Sequence, residues 1–238
     1  MNALEFLNGI LSLTYVGISL LIGITLIYFY FKRNEKILIF VGLSLIGIVT
    51  PWYPSSISFI VALFNYGKGI PEVLYYIIGN AFGPIFLFVW LIVFTNFYYQ
   101  NYRKLILSAS IIYGIIFEIL FFTLLIIDPA NIANYYPPVD VEFTGIYLIL
   151  AVSVIMIFFI TGIIFSYGAI SCHNEEDKIK GFFIFAAFIS YTLGAFLDAA
   201  VQQDYLYLII TRTILISGAI EWYFGFIMPK WLKKRILN

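Results

Sequence analysis

The stretch LDAAVQQDYLYLIITR, residues 197–212, decides the fold because it carries two opposite charges through an apolar helical hairpin. We predict that Asp204 marks the turn between two helices, since Asp198 precedes it by six residues and Arg212 follows it by eight. At the α-helical rise, both charged side chains lie roughly 9–12 Å below the same turn. Charges at that depth in a membrane are costly, so we expect Asp198 and Arg212 to face the protein interior and pair.

The composition predicts that lipid surrounds most of the chain. Hydrophobic residues make up 63% of the 238 positions and charged residues only 11%, whereas a soluble domain is typically about 25% charged. A chain this apolar lacks the polar side chains that a water-exposed surface needs. Its length suits a set of membrane-spanning helices of about 20 residues each.

Seven continuous apolar segments predict an all-α, polytopic seven-helix bundle that occupies residues 1–238 as a single membrane domain, with no soluble domain. A transmembrane β-barrel is disfavoured, since its strands alternate polar and apolar residues over about 10 positions. The predicted spans are residues 3–31, 37–64, 72–98, 105–127, 143–171, 181–203 and 205–229.

Lysine and arginine lie almost entirely on one side of the predicted bundle. Eleven of the 13 basic residues fall after spans one, three and five and in the C-terminal tail. Lys68 stands alone in the opposite connections, and Arg212 lies within a span. The positive-inside rule therefore predicts an outside N-terminus and a cytoplasmic C-terminus. We expect an integral, multi-pass protein of the cytoplasmic membrane.

Local matches between the two halves favour a 3+1+3 internal repeat, in which spans one to three and five to seven share one orientation. Residues 74–78 in span three resemble residues 206–210 in span seven, and Lys36-Ile37 resembles Lys178-Ile179. Chance similarity is the alternative, because helices rich in isoleucine, leucine, phenylalanine and tyrosine align easily.

The second span is interrupted by Thr50-Pro51-Trp52-Tyr53-Pro54-Ser55-Ser56. Each proline removes a backbone donor and clashes with the preceding turn, so we predict a kink or an opened helix. The hydroxyl groups of the stretch can hydrogen-bond the freed carbonyl groups. Trp52 and Tyr53 then line a cavity, belong to an interfacial aromatic belt, or accompany a kink that serves packing alone.

Two further polar side chains lie at the depth of the charged pair. Asn80 in span three either hydrogen-bonds a ligand or cross-links two helices. Glu118 in span four competes with Asp198 for the one buried arginine, binds a proton, or stays neutral among apolar neighbours. Gly79 and Gly83 are four residues apart, a spacing that predicts the close approach of a neighbouring helix.

Two connections carry a concentration of polar residues. Residues 128–142 contain a Pro-Pro pair, three acids and two tyrosines, and form either a lid over the outer mouth or an interfacial connector. Residues 172–178 hold the only cysteine and the only histidine of the chain, but their spacing matches no metal-ligand pattern. We therefore expect a solvated loop there, no metal and no cofactor.

The absence of catalytic motifs predicts that the protein is not an enzyme. A retinal protein is disfavoured, because the seventh span has no lysine to form a Schiff base. The basic C-terminal segment is typical of an anchor on the anionic inner leaflet of the bilayer, and we expect no nucleic-acid partner. The layout resembles that of membrane receptors, sensory input modules and small-solute carriers.

Three functions remain open. The first is a receptor-like or sensory protein that binds a small molecule in its outer half and signals through a separate cytoplasmic protein, because few residues follow the seventh span. The second is a small-solute or proton-coupled transporter that uses Glu221 and the outer acids. The third is a non-catalytic auxiliary subunit of a membrane complex. The residues expected to line the pocket are Trp52, Tyr53, Asn80, Glu118, Asp198, Tyr207 and Arg212.

Overall fold

The computed structural model describes residues 1–200 and 204–236 and is about 84% helical. Its helices and strands, in chain order, are α1 (Ala3–Arg33), α2 (Ile37–Ile48), α3 (Tyr53–Phe64), α4 (Glu72–Asn80), α5 (Gly83–Phe97), α6 (Arg103–Ile127), β1 (Ala133–Tyr136), β2 (Asp140–Phe143), α7 (Gly145–Ile170), α8 (Glu175–Ala200), α9 (Tyr205–Ile227) and α10 (Lys230–Ile236).

Seven helical segments of the described chain are long and apolar enough to cross a membrane, so the protein is an integral, multi-pass membrane protein. The sixth begins at residue 175 rather than at the predicted residue 181, and its predicted end at residues 201–203 lies outside the described residues. We call the segments spans 1 to 7: Ala3–Lys32, Ile37–Phe64, Glu72–Phe97, Gln100–Ile127, Gly145–Ile170, Glu175–Ala199 and Tyr205–Ile227.

Span 2 is broken where its two prolines lie, as predicted. One 3₁₀ turn, Thr50–Trp52, separates α2 from α3. The Thr50 hydroxyl donates to the carbonyl of Gly47 (2.5 Å), and the Ser56 hydroxyl donates to the carbonyl of Trp52 (3.0 Å). Side-chain hydroxyls thus replace backbone donors that the break removes, which lets the opened helix persist at membrane depth.

Span 3 has a second break, which was not predicted from the sequence. α4 ends at Asn80 and α5 begins at Gly83, with Pro84 in its first turn. Proline suits the first turn of a helix because an N–H at that position has no intrahelical acceptor. The predicted close approach is present at Gly79, where an added Cβ would lie 3.1 Å from Cγ of Pro54. It is absent at Gly83, where an added Cβ would meet no atom within 4 Å.

Six of the seven spans form a closed ring. Span 1 packs on spans 2 and 7, span 2 packs on span 3, and span 3 packs on span 5. Span 6 lies between spans 5 and 7, while span 4 stands outside the ring against spans 3 and 5. The ring therefore encloses an interior that span 4 reaches through Phe117.

The two ends of the bundle differ in structure. One end, which we call the hairpin end, carries residues 128–144, where β1 and β2 pair antiparallel with Tyr135 opposite Val141. This hairpin was not predicted, since the sequence suggested a lid or a connector of unspecified structure. The opposite end, which we call the basic end, carries the connections after spans 1, 3 and 5 and helix α10. There, Glu176 forms ion pairs with Lys180 and with Lys233 of α10.

Candidate functional site

A buried ion pair joins the last two spans, which confirms the predicted pairing. Nη1 of Arg212 lies 2.9 Å from Oδ2 of Asp198, with the two side chains 2% and 18% exposed. Nη1 is not aligned for a hydrogen bond, so the contact is ionic. Asp204 caps the start of α9 and accepts a hydrogen bond from the backbone N–H of Tyr207 (2.8 Å). Nη2 of Arg212 donates to Oδ1 of Asn8 in span 1 (2.9 Å).

The break in span 2 supplies a third partner for the pair. The indole N–H of Trp52 donates to Oδ2 of Asp198 at 2.7 Å. The same indole ring lies under the Arg212 guanidinium, whose central carbon is 5.9 Å from the ring centre. A buried guanidinium is stabilised by an aromatic face as well as by a counter-charge. The opened helix at Thr50–Trp52 therefore brings one side chain into contact with both charges.

Asn8 extends the polar network to the hairpin. Its Oδ1 also accepts from the Ser12 hydroxyl (3.1 Å), and Asn8 lines the same cavity at the hairpin end as Asp140 of β2. Burial raises the pKa of Asp140 to about 6, with a smaller contribution from the nearby Asp198, while Arg212 acts in the opposite direction. Asn8 therefore binds the central guanidinium directly and lies beside a half-buried carboxyl of the hairpin.

Sequence reasoning missed both Asn8 and Asp140. Asn8 and Ser12 are polar residues four apart in an apolar span, which places them on one helical face. That spacing was the available signal for Asn8. Asp140 gave no such signal, because its position depends on a hairpin that was not predicted.

A cavity of about 120 Å³ lies inside the ring beside this network. The breaks in spans 2 and 3 both face it, and the hairpin forms part of its wall. Its polar lining consists of Ser44, Thr50, Ser55, Asn80, Asp140, Asp198 and Arg212, and its aromatic lining of Trp52, Tyr75, Phe86, Phe117, Phe143, Tyr147, Phe158 and Tyr191. The cavity therefore combines an apolar body with charge concentrated at one side, which is the usual character of a small-molecule site.

A second cavity, of about 230 Å³, lies at the hairpin end, and we call it the vestibule. It shares Asp140, Val141, Asp198 and Ala199 with the inner cavity, so these residues form the wall between the two. Glu5 of α1 also lines the vestibule. The inner cavity thus lies directly behind a chamber at the hairpin end.

Toward the basic end, the cavity ends on an aromatic floor formed by Trp90, Phe158, Phe165, Phe188 and Trp222. All five side chains are buried. Trp90 lies at the centre of the floor, with its ring 5.2–5.4 Å from three of the phenylalanine rings. Close-packed aromatic rings leave no room for a water column. The cavity is therefore closed in the direction of the basic end.

The hairpin is fixed to spans 2 and 3 by hydrogen bonds to its backbone. The Ser58 hydroxyl donates to the carbonyl of Pro138 (2.5 Å) and accepts from the backbone N–H of Ile70 (3.0 Å). The hydroxyls of Tyr75 and Tyr76 donate to hairpin carbonyls, each at 2.9 Å. On the side of spans 1 and 6, Asp140 of the hairpin lines the vestibule together with Asn8 and Asp198. The hairpin is therefore a cover over the cavity that is anchored along one side.

Four of the seven predicted pocket residues line the inner cavity: Trp52, Asn80, Asp198 and Arg212. Asn80 also cross-links helices, because its Oδ1 accepts from the Tyr147 hydroxyl in span 5 (2.6 Å). The cross-link predicted for Asn80 is therefore present, and its hydrogen bond to a ligand stays a prediction.

The other three predicted pocket residues are absent from the lining. The Tyr53 hydroxyl donates to the carbonyl of Ile46 (2.6 Å) and spans its own break. The Tyr207 hydroxyl donates to the carbonyl of Leu197 (3.3 Å). Glu118 has the predicted depth, but it lies on span 4 outside the ring, and its buried Oε1 has no hydrogen-bond partner among the described residues. The second acid near Arg212 is Asp140.

In residues 1–200 and 204–236, no group of three or more histidine, cysteine, aspartate or glutamate side chains is placed to hold a metal ion. No family model, curated protein or solved structure matches the chain. The geometry of the cavity is therefore what bears on function.

Proposed function

We propose that the protein is a non-catalytic, receptor-like or sensory membrane protein that binds a small molecule in the inner cavity. The observation that carries this proposal is that the cavity adjoins the vestibule at the hairpin end and ends on the aromatic floor toward the basic end. A ligand that enters such a site leaves by the same route. Its binding free energy is then available to shift the packing of the ring.

In this proposal the protein lies in the cytoplasmic membrane. Its hairpin end faces outward and its basic end faces the cytoplasm. The positive-inside rule supports this orientation. Cys172, the only cysteine, is exposed at the basic end and provides a native reporter. An impermeant maleimide should label it in inside-out vesicles and not in right-side-out vesicles. A Cys172→Ser/Asn134→Cys variant, with its thiol on the exposed hairpin, should show the opposite pattern.

A contact path of aromatic rings supports the sensory role. The Trp52 ring contacts the Tyr191 ring (6.2 Å), which contacts the Trp222 ring of the floor (5.6 Å). Trp222 follows Glu221, which accepts a hydrogen bond from Ser190 (2.9 Å) in the half of the bundle nearer the basic end. A displacement of Trp52 by a ligand would reach spans 6 and 7 through these contacts and would be presented to a separate cytoplasmic signalling protein.

Flux measurements in proteoliposomes test the proposal. Purified full-length protein is reconstituted and assayed with a panel of radiolabelled amines, amino acids and sugars, with and without a pH gradient. We expect uptake equal to that of protein-free liposomes. Uptake that exceeds this background and is lost in a folded Asp198→Asn variant would overturn the receptor-like function in favour of a carrier.

A small-solute carrier is the second candidate, and one observation favours it. Both broken spans contribute their breaks to the cavity, and broken helices surround the substrate sites of many transporters. A 3+1+3 repeat would fit the same function, and the place of span 4 outside a ring of two triplets supports such a repeat. In a carrier the aromatic floor would open during the cycle. An auxiliary subunit would instead co-purify with a stoichiometric membrane complex.

A further inference from the structure

We infer that the ligand of the inner cavity is a small organic monocation, namely a protonated amine on an apolar body no larger than about one aromatic ring. The inference rests on the proposed function only in taking this cavity as the ligand site. It assigns Asp140 as the residue that faces the ammonium group and the aromatic lining as the surface that holds the apolar body.

The first argument is the net charge of the residues that line the inner cavity. The charged lining residues are Asp140, Asp198 and Arg212, which sum to one negative charge when both acids are ionised. Asp198 is already paired with the guanidinium at 2.9 Å. Asp140 accepts from the backbone N–H of Val141 (3.0 Å), and no lysine, arginine or histidine of the described residues forms an ion pair with it. One ligand cation would bring the site to neutrality.

The second argument is the aromatic lining and the volume of the inner cavity. Aromatic faces attract cations, and desolvated sites strengthen the attraction. Trp52, Phe117, Tyr147, Phe158 and Tyr191 surround the apolar part of the cavity. An apolar cavity of about 150 Å³ holds benzene, and the inner cavity measures about 120 Å³. The space therefore suits a body of about one ring or a branched chain of similar volume.

The third argument is the charge of the vestibule, which adjoins the inner cavity at the hairpin end. Four acids line it, Glu5, Asp140, Glu142 and Asp198, and no lysine, arginine or histidine belongs to its lining in the described part of the chain. Glu5 pairs with the N-terminal ammonium group (3.8 Å) and Asp198 with Arg212, which leaves Asp140 and Glu142 as the acids that give the vestibule its negative charge. A chamber of one charge sign concentrates ligands of the opposite sign. The entrance thus favours cations independently of the inner cavity.

Calorimetric titration of the full-length protein in detergent at pH 7 tests the inference with three ligands that share one ring: benzylamine, benzyl alcohol and benzoate. Blank micelles correct for partitioning. We expect benzylamine to bind at least about 10-fold more tightly than benzyl alcohol, since a hydrogen bond between charged groups is stronger than one made by a neutral hydroxyl. Benzoate should bind more weakly than both.

Variants of the hairpin assign the effect to one carboxyl. Asp140→Asn should lower benzylamine affinity about 10-fold and leave benzyl alcohol unchanged, whereas Asp140→Glu should retain most of the affinity. Asp128→Asn removes an exposed acid of the same connection that lines neither cavity, and it should change nothing. Thermal midpoints confirm that each variant is folded.

The outcomes separate the inference from the proposed function. Equal affinity for benzylamine and benzyl alcohol, tighter binding of benzoate, or no effect of Asp140→Asn would overturn the cation assignment and leave a ligand-binding cavity. If none of the three ligands binds, both the inference and the binding role of the cavity fail.

Discussion

Replacing Arg212 by leucine should destabilise the protein more than replacing both members of the ion pair. Arg212→Leu leaves the Asp198 carboxylate, 18% exposed, without the guanidinium that lies 2.9 Å away. Stranding a charge in this way costs about 3–5 kcal/mol. In the double variant Asp198→Asn/Arg212→Leu, neither charge of the pair remains, and the asparagine still offers an oxygen to the Trp52 indole. Asn8 keeps its hydrogen bond from Ser12 in both variants.

We therefore expect the double variant to lose only about 1–2 kcal/mol, the net value of the lost hydrogen bonds. Reversible unfolding by SDS in mixed micelles measures the free energies, and the two single variants with the double variant give the coupling energy. Arg235→Leu, which removes an exposed arginine from α10, is the control and should stay within about 0.5 kcal/mol. Equal losses for Arg212→Leu and the double variant would refute the pairing as a source of stability.

Three further predictions concern the hairpin and the broken spans. Because burial raises the pKa of Asp140 to about 6, the native state holds this proton more tightly than the unfolded state. Asp140→Asn should therefore stabilise the protein at pH 8 by up to about 3 kcal/mol. The advantage should decrease as the pH falls from about 6 to about 4, as thermal midpoints across pH will show. Ser58→Ala removes one hydrogen bond to the Pro138 carbonyl of the hairpin and one from the backbone N–H of Ile70. Hydrogen exchange of residues 133–143 should therefore accelerate, with no change in α10. Gly79→Val should cost about 1–3 kcal/mol by overpacking against Pro54, whereas Gly83→Ala should be tolerated; equal effects would contradict the close approach.

Depth within the membrane could be predicted from the sequence, because it follows from counting residues along a helix. The seven spans, the turn at Asp204 and the Asp198–Arg212 pair depend on that count alone. The break at Thr50–Trp52 was predictable for a different reason, since proline acts on the backbone through its own covalent structure. These features need no knowledge of how the helices are arranged laterally.

The sequence could not predict how the spans pack side by side, and the errors on Glu118, Asn8 and Asp140 follow from this. Glu118 has the right depth, but span 4 stands outside the ring. Asn8 has a similar depth on span 1, and only the packing of span 1 on span 7 brings it to Arg212. Asp140 needed the hairpin, whose short strands are held by side chains from two other spans. One-dimensional spacing contains none of this information.

The central claim, that the inner cavity opens toward the hairpin end alone, is tested most directly by a cysteine at Gly83. This residue lines the cavity, and a side chain there would meet no atom within 4 Å. In a Cys172→Ser background, an impermeant cationic thiosulfonate added at the hairpin side should modify Gly83→Cys, and the same reagent added at the basic side should not. Gly17→Cys, which also has free space but lines neither cavity, is the matched control and should stay unmodified. Modification of Gly83→Cys from the basic side at a similar rate, or from neither side, would contradict the account.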